Sequence, residues 1–217
     1  MEPFTTHTGI VATLDTANVD TDQIIAKQFL KLIGRTGFGQ YLFYDWRYLA
    51  DGRENPDFPL NRPQVRGASI LVTRDNFGCG SSREHAVWAV QQYGFRAIVA
   101  PWREHGAHRL PGFADIFRNN CGKNGLLTIE LPEPEVEKIF AACGRTPGLR
   151  ATVDLPLQTL TFLGAEPLRF SFDVHPALKN RLVNGLDDIS LTLREADAID
   201  RFEKQNRQWG HFPQVQA

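Results

Sequence analysis

The sequence predicts an α/β domain with a central mixed β region and flanking helices. Three observations carry this expectation. Residues 68–101 read strand, turn, helix, strand within roughly 30 residues, the length of a βαβ crossover between parallel strands. Residues 151–172 hold three short apolar segments that read as antiparallel strands. Helical spacing recurs between and after them, at 133–143, 176–184 and 195–208. The 217 residues suit one domain with a tail, the core running over about 4–202 and the tail over 203–217.

In order along the chain, residues 8–14 alternate and read as a strand, followed by an acidic turn over 15–22. Ile24 and Ile25 open a short apolar segment that ends near Ile33. A Gly-rich, aromatic stretch follows over 34–48, then a loop over 51–66 rich in Pro, Asn and charge. Residues 68–73 are an apolar strand and 76–80 a glycine-punctuated turn. Helical spacing over 82–93 carries Ala86, Val87, Trp88, Ala89 and Val90 as its apolar body, and Gly94 stops that helix as a residue just past its end would. The strand over 95–100 is cut by Pro101. A polar patch covers 102–109, and a short helix is expected over 112–119. Residues 126–131 form a strand. The helix at 133–143 has Pro134 at an early position and acidic residues in its first turn. Gly185 ends the helix at 176–184, and no internal repeat is present.

Composition excludes several function classes. Lys and Arg total 24 and Asp and Glu 25, so no global charge draws the chain to nucleic acid or an anionic membrane, and anion recognition must be local. No apolar run approaches the ~20 residues that span a bilayer. Residues 1–8 have neither the basic nor the apolar region of a signal peptide, so a cytoplasmic location is expected. Cys79, Cys121 and Cys143 are an odd set without a C-x-x-C pair. That pattern argues against a disulfide framework, a structural zinc or an iron–sulfur cluster held by this chain alone. Chemistry that needs a cluster would draw it from another chain.

The segment that carries chemistry is Asn76-Phe77-Gly78-Cys79-Gly80-Ser81-Ser82-Arg83-Glu84-His85-Ala86. Two glycines let the backbone turn tightly off a strand. Ser81 falls where a helix begins, and Ser81-x-x-Glu84 fits a capping box. Free N–H groups and the positive end of the helix dipole face outward at such a terminus, and Arg83 adds a fork shaped for a carboxylate. The expected site is an anion cradle holding two hydroxyls. The plain alternative is a serine that only caps a helix and a solvated arginine. Glu84 and His85 have no i, i+4 histidine partner for a zinc site. The turn is not a Gly-x-Ser-x-Gly elbow, and Cys79 has no identifiable base.

This string resembles the active-site turn of the mobile domain of the aconitase superfamily. The resemblance extends through Asp20-Thr21-Asp22 with Ile24-Ile25, Arg35-Thr36-Gly37-Phe38-Gly39, Phe113-Ala114-Asp115-Ile116-Phe117 and Asn184-Gly185-Leu186-Asp187. The whole pattern is similar to the small-subunit family of bacterial 3-isopropylmalate dehydratases. It implies an aconitase-type swivelling β/β/α domain whose parallel βαβ unit carries the active-site turn. It also implies a hydro-lyase step of leucine biosynthesis, interconverting 2- and 3-isopropylmalate through 2-isopropylmaleate. A large subunit with a [4Fe–4S] cluster is the implied partner.

On the same resemblance, Ser81 is the general base, acting as an alkoxide. Arg83 holds a substrate carboxylate, Ser82 orients it and Arg35 is a second carboxylate-binding arginine. Asp22 positions its loop or pairs with an arginine, and the loop over 30–38 recognises the isopropyl group. Two departures from the family pattern stand out. Ala26 replaces a proline. About ten residues, 102–111, intervene before Gly112, which stands where the family has serine. That segment is either a passive loop or an element that reshapes the pocket or the partner interface. Two alternatives stay open: a hydro-lyase subunit for another small hydroxydicarboxylate of methylmalate type, and a non-catalytic carboxylate-binding or assembly module.

Overall fold

The computed structural model describes residues 1–206 apart from Ile33, Ser82, Ala107, Glu166 and Pro167. The expected tail lies outside these from residue 207 onward. Strand β1 spans Thr6–Leu14. A one-turn helix α1, Thr21–Ile24, follows it, and α2 covers Tyr44–Arg47. Strand β2, Ile70–Thr73, leads through a turn into α3, Glu84–Tyr93, and then β3, Ala97–His105. Next come β4, His108–Leu110; α4, Asp115–Asn124; β5, Leu127–Pro132; and α5, Glu133–Arg145. The last part holds β6, Arg150–Asp154; β7, Thr159–Phe162; β8, Arg169–Ser171; α6, Pro176–Asn184; α7, Asp188–Leu193; and α8, Ala196–Gln205.

Among the described residues the strands form one eight-stranded mixed sheet. Its order is β4-β3-β2-β1-β6-β7-β8, with β5 also paired to β3. Strands β1, β2, β3 and β5 run parallel, and β6 to β8 continue antiparallel from the first half of β1. The parallel strands are apolar at successive positions because both of their faces are covered. Leu14, Leu71 and Ile98 point into a cluster with Val87 and Val90 of α3. Their neighbours Val11, Ile70, Val72 and Val99 point the other way, against Val136 and Ile139 of α5. Each such fully buried aliphatic side chain contributes on the order of 1.5–3 kcal/mol.

The βαβ unit, the antiparallel strands and the helix ended by Gly185 match the expectations from sequence. Three local expectations are corrected. Strand β3 does not stop at Pro101. Its pairing with β2 ends at Val99, so the missing N–H of Pro101 faces no β2 partner, and β5 continues alongside to Trp102. The polar patch after it is a hairpin: Arg103 pairs with Leu110, Glu104 with Arg109 and His105 with His108. The helix expected at 112–119 starts at Asp115, and α7 was not expected. Its signal is the Asp187 carboxylate, which accepts from the Ser190 N–H at 2.7 Å as an N-cap does.

Candidate active site

The site lies beyond the carboxyl ends of β1 and β2, where open α/β sheets form clefts. After the strands end, the two chain segments stay side by side. The Gly78 N–H donates to the Val19 carbonyl at 2.8 Å, and the Thr21 N–H donates to the Cys79 carbonyl at 2.9 Å. The buried Thr21 hydroxyl then donates to the Ser81 carbonyl at 2.8 Å. Gly78 and Gly80 have φ of +78° and +83°, a region that favours glycine. Close approach demands glycine as well. A Cβ on Gly78 would fall 2.2 Å from the Phe117 ring, and one on Gly80 would fall 2.1 Å from Asp20 Oδ2.

This pinning corrects the predicted cap. Ser81 and Glu84 form no capping box, because Thr21 holds the Ser81 backbone and Arg83 is still extended, at φ −137° and ψ 115°. Helix α3 begins at Glu84 with no side-chain cap on its first N–H groups, and the Glu84 carboxylate accepts from Asn124 Nδ2 at 3.0 Å. The capping box sits instead on α1. The Asp20 carboxylate accepts from the Asp22 N–H at 2.6 Å, and the Gln23 side chain accepts from the Asp20 N–H at 2.8 Å.

Asp20 thus does the capping and leaves Asp22 for another task. Its carboxylate forms an ion pair with the Arg83 guanidinium, and its second oxygen pairs with Lys27 at 3.2 Å. Ser81 is exposed on the same turn. A cavity of about 320 Å³ adjoins this turn, walled by Thr21, Gly78, Gly80 and Arg83 on one side and by 114–117 on the other; neither Ser81 nor Asp22 lines it. The Cys79 thiol is pushed up, first by burial and then by the neighbouring Asp20 carboxylate. It is therefore a poor nucleophile.

Ser81, Arg83 and Asp22 are accordingly brought together. Ser82 lies outside the described residues. Arg35 is exposed and does not line the cavity; its guanidinium stands over the Trp88 ring, 5.7 Å from the centroid. The loop expected to recognise an alkyl group is only partly available for that. Phe38 is fully buried in the core, and Phe29 stacks on Tyr41 with centroids 4.0 Å apart. Leu32 is exposed, and Ile33 lies outside the described residues. Sequence reasoning missed Thr21, although it belongs to the string that singled out Asp22.

Comparison with known proteins gives the chain a family and a fold. The family model described as the aconitase C-terminal domain matches residues 1–134, and that described as the C-terminal domain of the 3-isopropylmalate dehydratase small subunit matches residues 188–209. The fold and the turn define an aconitase-type swivel domain. A relative named 3-isopropylmalate dehydratase small subunit, from Desulforapulum autotrophicum, is 56% identical over 96% of this chain and 98% of its own. One of the same name from Rhodopirellula baltica is 55% identical over 94% of this chain and 98% of its own. The chain belongs to the 3-isopropylmalate dehydratase small-subunit family. A crystal structure of 3-isopropylmalate dehydratase from Methanocaldococcus jannaschii has the same fold. It aligns with a TM-score of 0.63 at 21% identity, over 90% of this chain and 99% of its own.

Proposed function

We propose that this chain is the small subunit of the hydro-lyase that interconverts 2-isopropylmalate and 3-isopropylmalate in leucine biosynthesis, and that Ser81 is its general base. We read it as one swivel domain, core 4–202 and tail 203–217, working against a large subunit that carries a [4Fe–4S] cluster. The observation that carries the reading is the turn at 78–83. Hydrogen bonds from Thr21 fix its backbone, and an ion pair to Asp22 sets its arginine, beside an open cavity.

The residues act as follows. The Ser81 oxygen takes the proton from the substrate carbon next to the one bearing the hydroxyl. Loss of that hydroxyl leaves the alkene, 2-isopropylmaleate. Return of the proton to the other carbon, with water adding across the double bond, gives the isomer. An alkoxide at Ser81 would draw stabilisation from the charge of Arg83, two residues on, and from the positive end of α3, whose first N–H groups carry no side-chain cap. Arg83 and Arg35 hold the two carboxylates, Ser82 orients one of them, and Asp22 aims Arg83.

The cluster, when bound in the large subunit, supplies a Lewis acid for the substrate hydroxyl and carboxylate. This chain's residues do not fit cluster ligation. Cys121 is fully buried, burial raises Cys143 to about 11, and no group of three His, Cys, Asp or Glu gathers among the described residues. Three free thiols suit the reducing cytoplasm, where we place the assembly.

One observation favours a second substrate. The β3–β4 hairpin is tied just before that turn, because Arg103 pairs with Asp75 at 2.9 Å and, directly after the hairpin, the Gly112 carbonyl accepts from the Phe77 N–H at 2.9 Å. A hairpin tied there can narrow the cleft toward a methyl-substituted malate. Reconstitution with the large subunit decides between them. The proposal predicts a kcat/KM for isopropylmalate at least ~10-fold above that for methylmalate, since burying the extra methyl groups discriminates by that order. The reverse ratio overturns the substrate assignment, and no turnover of either diacid overturns the hydro-lyase reading.

A further inference from the structure

One side chain seats the Arg35 loop on α3. Gln92, in the last turn of that helix, uses both ends of its amide. Its Nε2 donates to the Arg35 carbonyl at 2.7 Å, and its Oε1 accepts from the Phe38 N–H at 2.9 Å. The flipped amide would oppose oxygen to carbonyl and NH₂ to N–H, so the partners fix its orientation. The backbone cannot slide past this clamp. A Cβ on Gly39 would lie 2.4 Å from the Gln92 carbonyl oxygen. Phe38 is locked against His85 and Trp88, with ring centroids 5.3 Å and 5.6 Å away.

His85, Trp88 and Gln92 share one face of α3, and Arg83 stands at the start of the same helix. Trp88 lies four residues before Gln92, about 6 Å toward that start at ~1.5 Å per residue. The Arg35 backbone is thus held at the last turn while its guanidinium, over Trp88, reaches back toward Arg83. Helix α3 acts as a rigid spacer between the two arginines.

We propose that Gln92 is a positioning residue for the diacid substrate, setting the separation of the two arginines that take its carboxylates. This rests on the reading of Arg35 and Arg83 given above. The test uses the reconstituted holoenzyme and isopropylmalate. Gln92→Leu keeps the size and loses both hydrogen bonds. It should raise KM about tenfold and lower kcat by no more than about threefold, the pattern of lost ground-state positioning. Gln92→Glu keeps the acceptor for Phe38 and should give a smaller rise, and it replaces the leucine variant in every comparison if that variant does not fold. Arg35→Ala separates the two levels. An unchanged KM there sinks the reading of Arg35 itself. A raised KM there beside an unchanged KM in Gln92→Leu sinks this inference alone. In the double variant KM should match that of Arg35→Ala, because Gln92 acts through Arg35. Effects that multiply would show a general structural role and overturn the proposal.

Discussion

At the scale of single residues, the proposed site rests on groups that hold the turn as well as on Ser81 itself. Thr21 is buried, and its hydroxyl fixes the Ser81 carbonyl. Thr21→Val keeps the shape and removes that bond. Stability should fall by about 0.5–1.5 kcal/mol, the net worth of one hydrogen bond. If Ser81 is the base, turnover should fall about tenfold, because a misplaced base loses positioning at the reacting centre. Steady-state kinetics alongside urea unfolding checks both; unchanged turnover would mean that the turn holds its shape without Thr21. Gly80→Ala makes a sharper structural test. At φ +83° a Cβ would sit 2.1 Å from the Asp20 carboxylate, so the capping box of α1 and the turn would have to move apart. The cost should be at least ~1–3 kcal/mol. In a domain of this size that lowers the thermal midpoint by ~2–4 °C per kcal/mol.

At the scale of elements, legibility followed burial. The parallel strands and the apolar body of α3 were plain in the sequence, because burial forces uninterrupted apolar runs and helical spacing. What escaped was polar. The hairpin over 103–110 has no apolar face, so no period of two marks it. The start of α3 was misplaced because Ser81-x-x-Glu84 has the right residues, while tertiary bonds from Thr21 keep the backbone from adopting the cap. Asp20-x-x-Gln23 made the real box, within a stretch that read as an acidic turn. Helix α7 shows how an acidic cap behaves with pH. The Asp187 carboxyl is held down to about 2, mainly by the hydrogen bond from Ser190 and to a lesser extent by the N-terminal ammonium. Its folded value lies below its ordinary value of 3.8. The contribution is therefore present above about pH 4 and lost as pH falls through 2. The stability gap between wild type and Asp187→Asn should close over that range. A constant gap would mean that ionisation of Asp187 contributes nothing to stability.

At the scale of the molecule, the sheet brings distant segments to one edge. Residues 18–22, 76–81 and 113–117 meet because β1, β2 and β3 are parallel neighbours, pairings that spacing along the chain does not reveal. The roles of Ser81, Arg83, Asp22 and Arg35 came from the family resemblance. The fold adds the ion pair between Asp22 and Arg83 and the separate seat of Arg35 on α3. The chain's central feature remains an exposed serine on a glycine-built turn, proposed above as the base of a two-subunit enzyme. The most direct test is turnover of 2-isopropylmalate by the reconstituted two-subunit enzyme carrying Ser81→Ala. Ser81 is exposed, so the unfolding free energy should change by no more than the ~0.5 kcal/mol usual for a surface change. If Ser81 is the proton-transferring base, as proposed, kcat should fall by about 10²–10⁴-fold. A stable Ser81→Ala enzyme that retains wild-type turnover would contradict the account.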